Sequence, residues 1–198
     1  MSGNFKLKGP FSEDEIKILH EKTVEIMANT GVRIDDEKSL QIFSDNGCKI
    51  EGNKVYIEKE MVDEVLKQSP SSFVFKARNS QNNVKVGGGK PVLGPGLGIP
   101  FIIEDGEQRY STFKDYKKLT KLIQSSDYFD VVGGDMVSPT DLDTASRHKD
   151  MFRAAAKYSD KCLIGVDSGR RKSQECLQMA KILLQTDELE NNPCLLIL

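Results

Sequence analysis

Glycine and proline are concentrated in residues 86–101, where their spacing could form part of a binding site. Six glycines and two prolines fall within residues 87–98. Glycine permits positive φ and close approach of the backbone, whereas proline fixes φ and removes a hydrogen-bond donor. We therefore expect a defined, irregular path that is either a structural corner or the wall of a ligand site. The candidate substrate-binding residues on it are Gly94, Pro95, Gly96, Gly98 and Phe101.

The glycine-rich segment lacks the motifs of nucleotide-binding loops. Gly89-Lys90 is followed by Pro91, whereas a P-loop requires serine or threonine after its lysine. Residues 94–98 do not have G-x-G-x-x-G spacing, and no helical pattern follows them. The segment is therefore not expected to bind a nucleotide.

Two aspartates directly follow apolar runs that resemble strands. Asp135 ends the sequence Gly133-Gly134-Asp135, and Asp167 begins the sequence Asp167-Ser168-Gly169. The carboxyl ends of barrel strands form the active-site face of an α/β barrel, so both carboxylates could contact a substrate. Each could equally cap the next helix or lie in a loop. We take both as candidate substrate-binding residues, and the sequence assigns no catalytic residue and no metal ligand.

Composition and charge narrow the class of protein. The 198 residues carry a net charge of −2, which gives no electrostatic reason to expect nucleic acid. No apolar run approaches the roughly 20 residues of a membrane helix, so we expect no membrane association and take the cytoplasm as the default location. His148 is expected to pack or to form hydrogen bonds rather than to catalyse. Buried or partly buried thiols are expected for the four widely spaced cysteines, Cys48, Cys162, Cys176 and Cys194.

Residues 1–110 are expected to form an N-terminal α+β elaboration of short elements. Helices are predicted at about 12–30, 36–46 and 58–68, the first with a capping box between Ser12 and Glu15. Strands are predicted at 32–34, 49–50, 55–57, 73–77, 84–86, 101–103 and 108–110, with turns at 51–54 and 105–107. The glycine-rich junction at 86–101 then leads into the second part of the chain.

Residues 111–198 alternate apolar strands with helices, which is typical of parallel βαβ units. Helices are predicted at about 113–125, 142–158 and 172–186, the first capped by Thr112 with Asp115. Strands are predicted at 129–132, 162–166 and 194–198. A closed (β/α)8 barrel takes about 250 residues, so we expect an α/β fold that holds only the first βα units of a truncated TIM barrel. A small three-stranded α/β domain is the alternative.

Short motifs occur in a fixed order along the chain. They are Phe11-Ser12-Glu13-Asp14-Glu15-Ile16, Thr30-Gly31-Val32-Arg33-Ile34, Phe75-Lys76-Ala77-Arg78-Asn79, Gly94-Pro95-Gly96-Leu97-Gly98-Ile99-Pro100-Phe101, Asp130-Val131-Val132-Gly133-Gly134 and Ser159-Asp160-Lys161. In this order and at these spacings, the sequence resembles the N-terminal part of the trimethylamine methyltransferase family, the corrinoid-dependent methylamine and quaternary-amine methyltransferases. The resemblance runs from about residue 10 to residue 198 and covers well under half of a full-length member.

The resemblance implies a TIM-barrel enzyme that is preceded by an N-terminal α+β elaboration. Its activity would be the transfer of a methyl group from trimethylamine, or from a quaternary amine such as glycine betaine, to the cobalt of a partner corrinoid protein. No cofactor would be bound directly, and a full-length member could be a homo-oligomer. Residues 1–198 alone are expected to be inactive, with the catalytic residues further downstream. The alternative is a non-catalytic interaction module or split-barrel module from the same family.

Overall fold

The structure, a computed structural model, describes residues 9–87, 89–166, 169–189 and 194–196. The chain divides into two compact units, Met1–Ser71 and Ser72–Leu198. The glycine-rich segment therefore belongs to the second unit, together with the βα repeats that follow it. The boundary expected at residue 110 stays a prediction about domain organisation.

The first unit contains three helices around a small antiparallel sheet. Its elements are α1 (Glu13–Asn29), β1 (Val32–Arg33), α2 (Glu37–Asp45), β2 (Lys49–Glu51), β3 (Lys54–Tyr56) and α3 (Lys59–Gln68), and the strand order is β1-β3-β2. The predicted capping box is confirmed, since the backbone N–H of Ser12 donates to Glu15 Oε2 at 2.7 Å and that of Glu15 donates to Ser12 Oγ at 3.3 Å. Ser12 thus gives the amide of Glu15 a hydrogen-bond acceptor, which this amide lacks within the helix because it lies in the first turn.

The second unit contains two hairpins and a parallel sheet with its connecting helices. The antiparallel strands are β4 (Ser72–Phe75) with β5 (Val84–Gly87), and β6 (Phe101–Glu104) with β7 (Glu107–Tyr110). They are followed by α4 (Phe113–Ser125), β8 (Val131–Gly133), α5 (Arg147–Tyr158), β9 (Cys162–Ile164), α6 (Arg170–Leu184) and β10 (Leu195–Leu196). Strands β8, β9 and β10 are parallel in the order β10-β9-β8, which confirms the predicted βαβ arrangement as an α/β fold.

The predicted start of α5 differs from the structure by about five residues, whereas the other described boundaries of the βα repeats differ by about two residues or fewer. Helix α5 begins at Arg147, not near residue 142, because the backbone N–H groups of Ser146 and Arg147 both donate to the carbonyl of Asp143 and hold the preceding residues in turns. The last predicted strand is seen as Leu195–Leu196, and residues 197–198 lie outside the described residues. No helix within the described ranges is both long enough and apolar enough to cross a membrane.

The parallel sheet is covered on both faces by different partners. Val132 and Leu163 belong to one apolar cluster with residues of α4, α5 and α6. Their strand neighbours Val131, Cys162 and Ile164 form a second cluster with Phe75 and other apolar residues of the β4–β5 hairpin. Because successive side chains of a strand point to opposite faces, this alternation explains the continuous apolar runs that predict these strands.

The glycine-rich segment runs beside β8 in the same direction. The carbonyl of Leu93 accepts hydrogen bonds from the amides of Asp130 and Val131, at 2.8 and 3.3 Å. Further along, Gly98 N–H donates to the carbonyl of Asp135 at 2.7 Å, and Ser138 N–H donates to the carbonyl of Ile99 at 3.0 Å. The segment is therefore a fixed wall along β8 and not a loose linker.

The β6–β7 hairpin is attached to the first turn of α4 by an ion pair. Arg109 Nη1 and Nη2 donate to the two carboxylate oxygens of Asp115, at 2.7 and 2.9 Å. Asp115 also accepts from Thr112 N–H and Oγ1, at 2.9 and 2.7 Å, which completes the predicted helix cap. Hydrogen bonds from Arg109 and then Thr112 hold the pKa of Asp115 well below its ordinary value, even though burial opposes this.

The Asp115 carboxylate makes stability dependent on pH. Its folded pKa lies below the unfolded value of about 3.9, so its contribution is present above that value and is lost as the pH falls through the folded pKa. We expect Asp115→Asn to lower the free energy of unfolding at pH 7 by about 2 kcal/mol and to reduce its fall between pH 6 and pH 3. Urea unfolding at each pH measures both effects. The exposed Asp14, in the first turn of α1, supplies the control Asp14→Asn, and equal behaviour of the two variants would contradict the assignment.

The packing of the glycine-rich segment predicts a difference between two of its glycines. A Cβ at Gly94 would lie 2.7 Å from Val131 Cγ2, whereas a Cβ at Gly96 would have its nearest neighbour, Ile99 Cδ1, at 3.6 Å. We expect Gly94→Ala to lower the free energy of unfolding by about 1–3 kcal/mol through overpacking, and Gly96→Ala to change it by less than about 0.5 kcal/mol. Urea denaturation of the two variants measures the difference, and a Gly94→Ala variant as stable as Gly96→Ala would show that this contact is absent.

Candidate functional site

Two glycines at the carboxyl end of β8 turn the chain towards Asp135. Gly133 and Gly134 have φ values of 106° and 62°, which residues with a side chain rarely adopt. A Cβ at Gly133 would lie 2.5 Å from the carbonyl oxygen of Ile164 in β9, and Gly134 N–H donates to that same oxygen at 2.7 Å. Because the turn that carries Asp135 lies so close to the neighbouring strand, only glycine fits at position 133.

Two hydrogen bonds hold Asp135, and among the residues that the structure describes one of its carboxylate oxygens has no partner. Its carbonyl accepts from Gly98 N–H at 2.7 Å, and its Oδ2 accepts from Ser138 Oγ at 2.6 Å. Its Oδ1 is buried and has no hydrogen-bond partner within the described part of the chain. Burying such an oxygen without a partner costs free energy, so native structures usually give it a partner from protein, water or ligand. This geometry suits a cation or a hydrogen-bond donor.

Tyr116 of α4 forms a hydrogen bond with the turn that carries Asp135. Its side chain is fully buried, and its hydroxyl donates to the carbonyl of Gly134 at 3.0 Å. Burial raises the pKa of Tyr116 far above its ordinary value, and the nearby negative charge of Asp135 adds to this effect. The phenol is therefore a neutral hydrogen-bond donor at physiological pH.

An aromatic pair lies on the β6–β7 hairpin, whose base is attached to the same region. Phe101 and Tyr110 are register partners, with ring centroids 5.0 Å apart and planes inclined by 37°. Phe101 is 38% exposed and Tyr110 is 63% exposed, so both rings offer accessible surface. Ser111, next to Tyr110, donates through Oγ to the carbonyl of Ser138 at 2.8 Å. Aromatic faces of this kind attract ammonium cations.

The structure brings together some of the residues predicted from the sequence. Gly98 and Asp135 are hydrogen-bonded to each other, whereas Gly94 packs against Val131 at the start of β8. Pro95 and Gly96 lie between these two contacts on the same segment. Asp167 lies outside the described residues.

Sequence reasoning missed Tyr110, Tyr116 and Ser138. Tyr110 could have been found, because the turn at Asp105-Gly106 fixes the hairpin register that pairs it with Phe101. Tyr116 and Ser138 have no comparable local signal, since their roles depend on contacts across the unit.

The histidine and cysteine side chains that could take part in chemistry have roles in packing and hydrogen bonding. His148 is buried and its Nε2 lies 2.5 Å from Glu175 Oε2, which confirms the prediction of a packed, hydrogen-bonded histidine. All four cysteines are free thiols, and burial raises the pKa of Cys162 to about 11. Among the residues that the structure describes, no group of three or more histidine, cysteine or acidic side chains could hold a metal ion.

Comparison with known proteins matches the chain to methyltransferases. The family model "Trimethylamine methyltransferase (MTTB)" matches residues 1–198. The chain is 36% identical over 189 residues to a glycine betaine methyltransferase of Desulfitobacterium hafniense (strain Y51), covering 94% of this chain and 40% of that protein. It is 29% identical over 195 residues to a proline betaine:corrinoid methyltransferase of Eubacterium limosum, covering 93% and 40%.

A third relative is the trimethylamine methyltransferase MttB of Desulfitobacterium hafniense (strain DSM 10664 / DCB-2), with 28% identity over 200 residues and coverage of 96% and 39%. The chain thus spans about 40% of the length of the curated relatives that it matches. Since the family model matches the whole chain, this protein belongs to the trimethylamine methyltransferase family.

Proposed function

We propose that this chain is part of a methyltransferase that moves a methyl group from a methylated amine to the cobalt of a partner corrinoid protein. Membership of the family supports a methyltransferase activity, and the relatives are named as methyltransferases for glycine betaine, proline betaine with corrinoid, and trimethylamine. In such a transfer, the carbon–nitrogen bond breaks with its electron pair remaining on nitrogen, and the methyl group passes to the acceptor. The protein must therefore hold a methylammonium group and exclude water.

This proposal is carried by the buried Oδ1 of Asp135, which has no hydrogen-bond partner in the described part of the chain. A carboxylate in a poorly solvated position attracts a cation more strongly than one in bulk water. Its Oδ2 is already occupied by Ser138, so Oδ1 is the oxygen left to face an ammonium group. The aromatic faces of Phe101 and Tyr110, on the adjoining hairpin, suit the methyl groups of the same cation.

We further propose that β8, β9 and β10 are consecutive strands of a TIM barrel, with residues 92–94 as the strand before them. The parallel order of the three strands and the intervening helices on one face support this arrangement. The hydrogen bonds from Asp130 and Val131 to the carbonyl of Leu93 support the additional strand. Residues 94–98, Asp135 and Asp167 would then all follow barrel strands at the active-site face.

The amine site predicts a loss of binding when the charge of Asp135 is removed. We expect Asp135→Asn, which preserves shape, to weaken binding of trimethylammonium chloride or glycine betaine at least about tenfold, because a cation loses its paired carboxylate. Line broadening of the ligand's N-methyl proton resonance during titration with the purified chain measures the affinity. The exposed Asp127, which precedes β8, gives the control Asp127→Asn with the same change of charge. Equal affinity of wild type and Asp135→Asn would contradict the site.

We expect residues 1–198 by themselves to transfer no methyl group, because the curated relatives are about two and a half times as long and a barrel needs eight strands. The assay combines the purified chain with trimethylamine or glycine betaine and free cobalamin reduced to cobalt(I), and follows methylcobalamin by its absorbance. Methyl transfer above the rate without protein would refute the expectation of inactivity.

A further inference from the structure

We infer that Tyr116 is a positioning residue for the amine site, because its hydroxyl fixes the turn that presents Asp135. This inference rests on the proposed function. Tyr116 does not itself face the cation, since its hydroxyl donates to the carbonyl of Gly134 and its side chain is fully buried. Its contribution would therefore be made through the backbone of the turn.

The Gly133-Gly134 turn depends on outside support for its shape. Two consecutive glycines with positive φ lose more conformational freedom on ordering than any other residue pair, so hydrogen bonds must hold them. On one side, Gly134 N–H donates to the carbonyl of Ile164. On the other side, the carbonyl of Gly134 accepts from Tyr116 at 3.0 Å. The peptide groups on both sides of Gly134 are thus fixed, one by a strand and one by a helix.

The direction of the Asp135 side chain follows from the orientation of the Gly134 carbonyl. The Gly134 carbonyl belongs to the peptide group that joins Gly134 to Asp135, and this group is planar. A change in the ψ angle of Gly134 would turn this plane, displace the Cα of Asp135 and disturb the hydrogen bond that the carbonyl of Asp135 accepts from Gly98. The Tyr116 hydroxyl therefore helps to decide whether Oδ1 stays in the buried position that is available to a cation.

Contacts within and around helix α4 hold Tyr116 in place. Tyr116 lies in its first turn, immediately after Asp115, whose carboxylate is fixed by Arg109 and Thr112. The carbonyl of Tyr116 also accepts from Thr120 Oγ1 at 2.9 Å, one helical turn later. Tyr116 and Thr120 are both fully buried, but the Thr120 hydroxyl bonds within the helix and not to the turn.

Tyr116→Phe tests the inference, with Thr120→Val as the matched control. Each substitution removes one buried hydroxyl of α4 with little change of shape, so both are expected to fold with a similar small loss of stability. The first readout needs no ligand and is amide hydrogen exchange at Gly98 and Gly134, measured by NMR on residues 1–198. The second readout is the affinity for trimethylammonium chloride, with Asp135→Asn measured alongside.

We expect Tyr116→Phe to raise the exchange rates of the Gly98 and Gly134 amides about tenfold and to weaken trimethylammonium binding about tenfold. Thr120→Val should leave the affinity unchanged and should not accelerate these two amides selectively. Unchanged exchange in Tyr116→Phe overturns the inference. Faster exchange with unchanged affinity also overturns it if Asp135→Asn still weakens binding, because Tyr116 is then only structural. If neither Asp135→Asn nor Tyr116→Phe alters binding, or wild type binds nothing, the proposed amine site fails together with the inference.

Discussion

The close approach of Gly133 to β9 is the constraint on which the site depends. A methyl group at that position would lie 2.5 Å from the Ile164 carbonyl oxygen, so the sheet and the turn cannot both keep their places if residue 133 has a side chain. The same oxygen accepts the hydrogen bond of Gly134, and the chain then leads directly to Asp135. Packing inside the sheet therefore determines where a charged group emerges at its edge.

The opposite end of the sheet has a polar centre with a different role. The carboxylate of Asp160, just before β9, accepts hydrogen bonds from Asn79, Asn82 and Gln124 at 2.7–2.9 Å. These bonds, Asn79 first, lower the pKa of Asp160, and they leave its oxygens well paired. Such a group secures the hairpin segment to the sheet, whereas Oδ1 of Asp135 has no hydrogen-bond partner among the described residues. If the sheet belongs to the proposed barrel, this contrast would match the division of such barrels into a stabilising face and a functional face.

The sequence predicts those features of the fold that depend on neighbouring residues. Capping at Ser12 and Thr112, the turn at 105–106 and the apolar runs of β8 and β9 all have local causes, and each was predicted. The start of α5 was placed too early, because the turns made by Asp143 depend on the three-dimensional path of the loop. Within the site, Gly98 and Asp135 were predicted as separate candidates. The hydrogen bond from Gly98 to Asp135 joins positions 37 residues apart, and the one from Tyr116 to Gly134 joins positions 18 residues apart, which no local pattern encodes.

The first turn of α4 limits which changes of chain length the protein can accept. Its adjacent residues Asp115 and Tyr116 contact two separate segments, the β6–β7 hairpin and the turn after β8. Successive side chains on a helix point about 100° apart, so inserting or deleting one residue before Asp115 would turn both away from their partners at once. The length between Arg109 and Tyr116 is therefore fixed more strictly than that of the exposed turn at Asp105-Gly106. Insertions in related sequences should accumulate at the turn and avoid the start of the helix.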